Sequence, residues 1–362
     1  MIRKFSLFTL LISLALSACQ SPVVPTSTPT PTHTITPSQT ATLPAPTVTP
    51  QPEPTDSQIV IAESDYLLSG SLEVGYANAM VWSAASDHLA VLAQNEVTIV
   101  SVPELERVSY FAVQDPNLIL DVSPDTQTVA ISEGFENILL VDLMSGETIC
   151  TIAEGRFMGA SFSVDGLQLA VASGEEWLVN IYAVYNCSLT QTLTGFETAA
   201  PVYDVSYSPD GSQAVWIARA TLQLSDLGSG TLSPEFNHMD FINSWALASG
   251  RDLLVTATYG EVAGVFQPII YLWNTVTGEN NLKLTPGEII NGLDLDASGY
   301  LLAAGAPGHV LIYDLADASQ IASLPLSGAE TVTDLAFAPD GKTLAVLFPT
   351  ETGTILTLWG IP

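Results

Sequence analysis

Cations are scarce in this sequence: eight Lys and Arg stand against 38 Asp and Glu, giving a formal charge of −30 over 362 residues. Such a surface repels phosphate and anionic headgroups alike, so nucleic acid is excluded as a partner and a basic protein segment is favoured. Cysteine and histidine are scarcer still, at three and four. No Cys/His cluster has zinc spacing, and His33, His88, His238 and His309 share no recurring partner, so no metal and no cofactor are expected. A Gly-x-Ser-x-Gly elbow, a phosphate loop and a His-Glu-x-x-His pair are all missing, so no catalytic residue is assigned and the chain reads as non-enzymatic. Asn237-His-Met-Asp240 sets a His beside an acid, which reads as a surface His in a loop before a strand. After the first twenty residues nothing is long and apolar enough for a transmembrane helix.

What is present is one sentence written seven times between Asn78 and Leu347. Its clearest form is Val332 to Leu347, VTDLAFAPDGKTLAVL. Leu335, Phe337, Leu344 and Val346 mark two alternating strands, and Pro339-Asp-Gly341 joins them in a tight hairpin turn. Asp340 aligns with Asp210, Asp165 and Asp125, and with Ala85, Gly250 and Ser298 where the acid is missing. These turn positions lie 40, 40, 45, 40, 48 and 42 residues apart, a blade period. Each copy continues into a third strand ending in Asp or Asn, as at Asp142, Asp226, Asn274 and Asp314, where an Asx-turn is the ordinary role. A fourth strand follows a Gly-containing turn. Four strands in each of seven copies predict an all-β, seven-bladed propeller of antiparallel blades over residues 58–362.

Over this range the chain resembles the WD-repeat family of propellers. Trp273-Asn274 is the nearest approach to the Trp-Asp pair, while Asp142, Asp226 and Asp314 keep only its acid. The Gly-His pair of that family is missing, with Gly195-Phe-Glu-Thr198 and Gly328-Ala-Glu-Thr331 near its place, so the family's hydrogen-bond network is not expected here.

Residues 1–18 resemble a bacterial lipoprotein signal peptide: Arg3 and Lys4 precede an apolar run from Phe5 to Leu16, and Leu16-Ser-Ala-Cys19 follows. The resemblance implies lipidation of Cys19 and anchoring to the cell membrane, on its extracytoplasmic side, by that lipid alone; a monomer is expected. Residues 20–57 hold ten prolines and eleven threonines and can build no core. A semi-rigid stalk spanning up to about 120 Å is expected.

Cys150 and Cys187 fall in outer strands of neighbouring blades by the alignment. Outer strands splay apart and a disulfide needs Cα atoms within about 7 Å, so two separate thiols are expected. The innermost strands carry Asp204 and Asp334 in one register and Asp121 and Asp294 in another. Carboxylates facing a channel either collect a hard cation or bond water and neighbouring backbone N–H groups, and the second role is expected. The seventh copy stops without a fourth strand. Leu67 to Leu72 is predicted to supply it by pairing with Ile355 to Trp359.

The loops between second and third strands are the irregular part of each blade and mark the candidate binding face. They carry Glu133, Phe135 and Glu136 in the second blade, Glu175, Glu176 and Trp177 in the third, Tyr259, Glu261 and Phe266 in a long fifth loop, and Glu351 in the seventh. Aromatic anchors among acids suit a basic partner segment, unless Phe135, Trp177 and Phe266 fold inward. The expected function is a surface-anchored, non-catalytic protein-protein interaction module. The alternatives are a propeller hydrolase or lyase, with or without a cation, built in the channel on Asp204 and Asp334, or an envelope-assembly protein resembling the TolB type.

Overall fold

Each copy of the hairpin sentence folds into the inner half of one blade of a seven-bladed propeller. The computed structural model describes residues 66–361 apart from 94, 114–117, 135, 154, 175–177, 195–201 and 219. The predicted leader, Cys19 and stalk lie outside the described residues, as do Phe135, Glu175, Glu176 and Trp177. Seven four-stranded antiparallel sheets make the ring. Blade 1, for example, runs outward through Ala79–Trp82, His88–Leu92, Glu96–Ser101 and Arg107–Ala112. Blade 7 is completed by the N-terminal strand, Leu67–Glu73, which pairs with Gly353–Gly360 from Leu67↔Gly360 to Glu73↔Ile355, as predicted.

Why the second strands read as nearly unbroken apolar runs follows from this geometry. A blade buries both faces, so alternate residues serve different cores. Leu89 and Val91 pack between blades 7 and 1, whereas Ala90 and Leu92 pack between blades 1 and 2. The large side chain turns to the preceding blade and a small one to the following blade in several copies, with Ala130, Ala170, Ala303 and Ala345 matching Ala90. Seven such cores, one per blade pair, leave no single centre. Pairing large against small lets twisted sheets close-pack around an axis.

The hairpin turns differ from a two-residue Asp-Gly loop. In blade 3 the Ser163 N–H donates to Gln168 O and the Gly166 N–H to Ser163 O, so four residues form the loop and Gly166 alone takes positive φ, at 72°. Asp165 caps this turn by accepting from the Ser163 hydroxyl at 2.6 Å and the Leu167 N–H at 3.0 Å. The Ser163 hydroxyl oxygen in turn accepts the Gln168 N–H at 2.9 Å. Blades 2 and 4 repeat the arrangement at Ser123/Asp125 and Ser208/Asp210. Blade 5 departs from it, with a 3-10 turn at Ser249–Arg251 and Asp252 in the left-handed region.

Two expectations are corrected by the fold. Cys150 and Cys187 form a disulfide with Cα atoms 5.8 Å apart. Cys187 precedes the outer strand Leu189–Leu193 and lies in the turn before it, at φ 54°, which brings it over the outer strand Thr148–Ala153 of blade 2. Splaying separates strand from strand, not turn from strand. The long loop of blade 5 is also no loop. Leu253–Val262 and Val265–Asn274 pair without interruption up to Val262↔Val265, and Ala263 and Gly264, both at positive φ, close a two-residue hairpin.

Candidate functional site

The four inner-strand acids are each taken up by backbone N–H groups, three of them by the neighbouring blade. An innermost strand is a sheet edge whose outward N–H groups need acceptors. Asp121 Oδ2 accepts the Phe162 N–H of blade 3 at 2.9 Å, Asp294 Oδ2 the Phe337 N–H of blade 7 at 2.8 Å, and Asp334 Oδ2 the Met80 N–H of blade 1 at 2.9 Å. In blade 5 a hydroxyl does the same work: the Leu293 N–H donates to Ser244 Oγ. Asp204 Oδ1 accepts the N–H of Val205 in its own strand, and Gly159 of blade 3 leaves it room, since a Cβ there would stand 3.1 Å from Oδ1. Asp121 and Asp334 are buried while Asp204 and Asp294 are half-buried. Asp121, Asp294 and Asp334 thus fasten blade to blade, and among the described residues no three His, Cys, Asp or Glu are grouped to hold a metal ion.

His238 is not a surface residue. It follows the short outer strand of blade 4, and its ring meets Tyr271 and Trp273 of blade 5 edge-on, with centroids 5.7 and 5.1 Å away. Trp273 Nε1–H donates to Thr256 Oγ1 at 2.9 Å, Thr256 Oγ1 meets His238 Nε2 at 2.8 Å, and His238 Nδ1 meets Ala220 O at 3.1 Å. A carbonyl only accepts, so Nδ1 carries the proton and Nε2 receives the Thr256 hydroxyl. Burial pushes the imidazole down to about 4, against the opposing pull of the Ala220 and Phe236 carbonyls, and it is neutral at pH 7. Sequence reading missed this network. Its one signal was Trp273-Asn274, the copy closest to a Trp-Asp pair.

On the predicted binding face, Phe266 does not fold inward. It is 56% exposed and stacks on Tyr259 across the blade 5 hairpin, with centroids 5.6 Å apart and planes 18° apart. Glu261, paired with Phe266 across the ladder, shares that side of the hairpin and is exposed. Met239 and Phe241, 67% and 52% exposed, stand at the hairpin's base, where the Thr258 hydroxyl donates to the Phe241 carbonyl at 2.8 Å. Glu133, Glu136 and Glu351 are exposed on other blades of the same face.

The opposite end of the channel, formed by the short turns, holds a cavity of about 460 Å³ to which all seven blades contribute. In six of the blades the residue before the turn position forms its rim: Ala84, Pro124, Val164, Pro209, Ala297 and Pro339. Phe162, Leu247, Leu295 and Phe337 stand behind them, and Asp210, Asp294 and Asp296 supply its charge. These positions align in the sequence, and only the closed ring sets them around one axis. Set against models of known protein families and against curated protein sequences, the chain matches none.

Proposed function

We propose that this protein is an acidic, non-catalytic interaction module that captures a basic segment of a partner protein on the face carrying the blade 5 hairpin. The observation behind this reading is the Tyr259–Phe266 stack, in which an exposed Phe266 lies on a half-buried Tyr259, with the exposed Glu261 beside it. Soluble proteins rarely leave such anchors in water without a use, and a rigid aromatic pair costs little ordering entropy on binding. The surplus of 38 acids over eight cations favours a basic partner and speeds its approach.

In the same proposal the protein is a monomeric lipoprotein that works on the extracytoplasmic side of the membrane, held through Cys19 and a Pro/Thr-rich stalk. The Cys150–Cys187 disulfide supports an oxidising compartment. Relation to the WD-repeat propellers draws support from the His238–Thr256–Trp273 chain, which joins one blade to the next as a repeat-family network would. The inner-strand acids are each engaged with backbone N–H groups, which favours binding over channel hydrolysis.

A photo-crosslinking residue in place of Phe266, expressed in the native cell, tests the proposal. It should trap a protein through a Lys/Arg-rich segment, while the same probe at Met144, in an exposed turn of the opposite face, traps none. Crosslinks at Met144 alone would place the partner elsewhere and defeat the reading.

A further inference from the structure

We infer that the cavity at the short-turn end of the channel is a binding site for a small organic cation with an apolar body, an aryl- or alkylammonium. Its 460 Å³ is the size of a small-molecule pocket and too small for a folded element of a partner. The rim is rigid, since three of its residues are Pro124, Pro209 and Pro339, and it is stitched between blades by the Ala84 N–H on Pro124 O at 3.1 Å and the Asp340 N–H on Ser86 Oγ at 3.1 Å. A preformed site loses little entropy on binding.

The polarity of the lining selects the ligand's charge. Prolines have no N–H, and the glycine N–H groups of the turns are spent internally, as Gly211 on Ser208 O and Gly341 on Ala338 O. What faces the cavity is apolar surface from side chains such as Phe162 and Phe337, together with the carboxylates of Asp210 and Asp296, which cap their turns, and of Asp294, which accepts the Phe337 N–H; each is an anion with several acceptor sites. The two cations of these turns do not line it. Arg251 lies over the Tyr300 ring at 3.9 Å and donates to Gly299 O, and Lys342 pairs with Asp340 at 3.8 Å. An ammonium finds acceptors here, whereas an anion meets only like charge.

Calorimetric titration of the full chain with 2-(2-naphthyl)ethylammonium tests this, with the matching alcohol and 3-(2-naphthyl)propionate as neutral and anionic counterparts. The ammonium should bind about tenfold or more tightly than the alcohol, and the carboxylate should not bind. Ala297→Trp and Ala84→Trp, both at exposed turn positions on different blades, should each weaken it by about tenfold or more with unchanged melting, as the indole fills the mouth. Phe266→Ala should leave it unaltered, which separates this site from the partner face. Equal binding of all three probes, or full ammonium binding in the folded Trp variants, would overturn the assignment.

Discussion

At the residue scale, two polar groups, a buried Asp334 and a half-buried His238, set the strength of the joints between blades. Asp334 carries the joint between blades 7 and 1, where the ring closes, by accepting the Met80 N–H while its other oxygen accepts the Leu335 N–H. Asp334→Ala orphans both donors and should cost about 2 to 3 kcal/mol in urea unfolding, with Asp334→Asn, which keeps one acceptor, losing less. A variant as stable as the wild type would show the carboxylate to be incidental. His238 gives a pH signature. Its folded value near 4 lies below the unfolded 6.5, so the unfolded chain binds the extra proton between them. Stability is therefore complete above about pH 6.5 and falls by about 3 kcal/mol as pH drops to 4. His238→Gln should flatten the slope between pH 6.5 and 5, above the range where Asp87, Asp142, Asp226 and Asp317 protonate, since hydrogen bonds hold each of these below the ordinary carboxylate range. An unchanged slope would contradict a desolvated, neutral imidazole. Neither group could be ranked from sequence. An Asp near a strand start says nothing of which edge N–H it will meet, and His238 finds Thr256 and Trp273 only after two blades pack.

Turns and hairpins carry the next scale. The repeated turn needs one residue at positive φ, and glycine fills it at Gly166, Gly211, Gly299 and Gly341, whereas blade 2 uses Thr126 at 59°. A β-branched residue is disfavoured there, so Thr126→Gly should raise stability by about 1 kcal/mol. No gain would mean that the Asp125 cap already offsets the strain. The disulfide ties blade 2 to blade 3 across a sequence separation of 37 residues. Its removal in a Cys150→Ser/Cys187→Ser variant should lower unfolding stability by about 3 to 4 kcal/mol on loop entropy, and equal stability would show that the blades hold this joint unaided. The hairpin sentence itself was legible, because period-two alternation with a Ser-x-Asp-Gly turn is local information. The blade 5 hairpin was not. Gly260, Gly264 and Pro268 read as a loop, yet the outer strand reaches inward only as far as Ile270, so Pro268 sits on an edge where proline is tolerated.

For the whole molecule, the spacing of seven turns and the missing fourth strand sufficed to foretell the ring and its closure by Leu67–Glu73. Period survives degeneration of a motif because it records how much chain one blade consumes. The cavity was not legible, because a ring exists only once seven equivalent positions share an axis. Two ends of different chemistry result: short turns rimmed with Pro and Ala, and variable hairpins bearing aromatics and acids. The division of labour rests on the second end. Its most direct test is the affinity of the crosslinked partner's basic segment for the wild type and for a Tyr259→Ala/Phe266→Ala variant, measured at two salt concentrations alongside melting curves. Loss of about 30-fold or more in affinity, weaker binding in high salt for the wild type, and an unchanged melting midpoint are predicted. Undiminished binding by the variant, or collapse of its fold, would contradict the account.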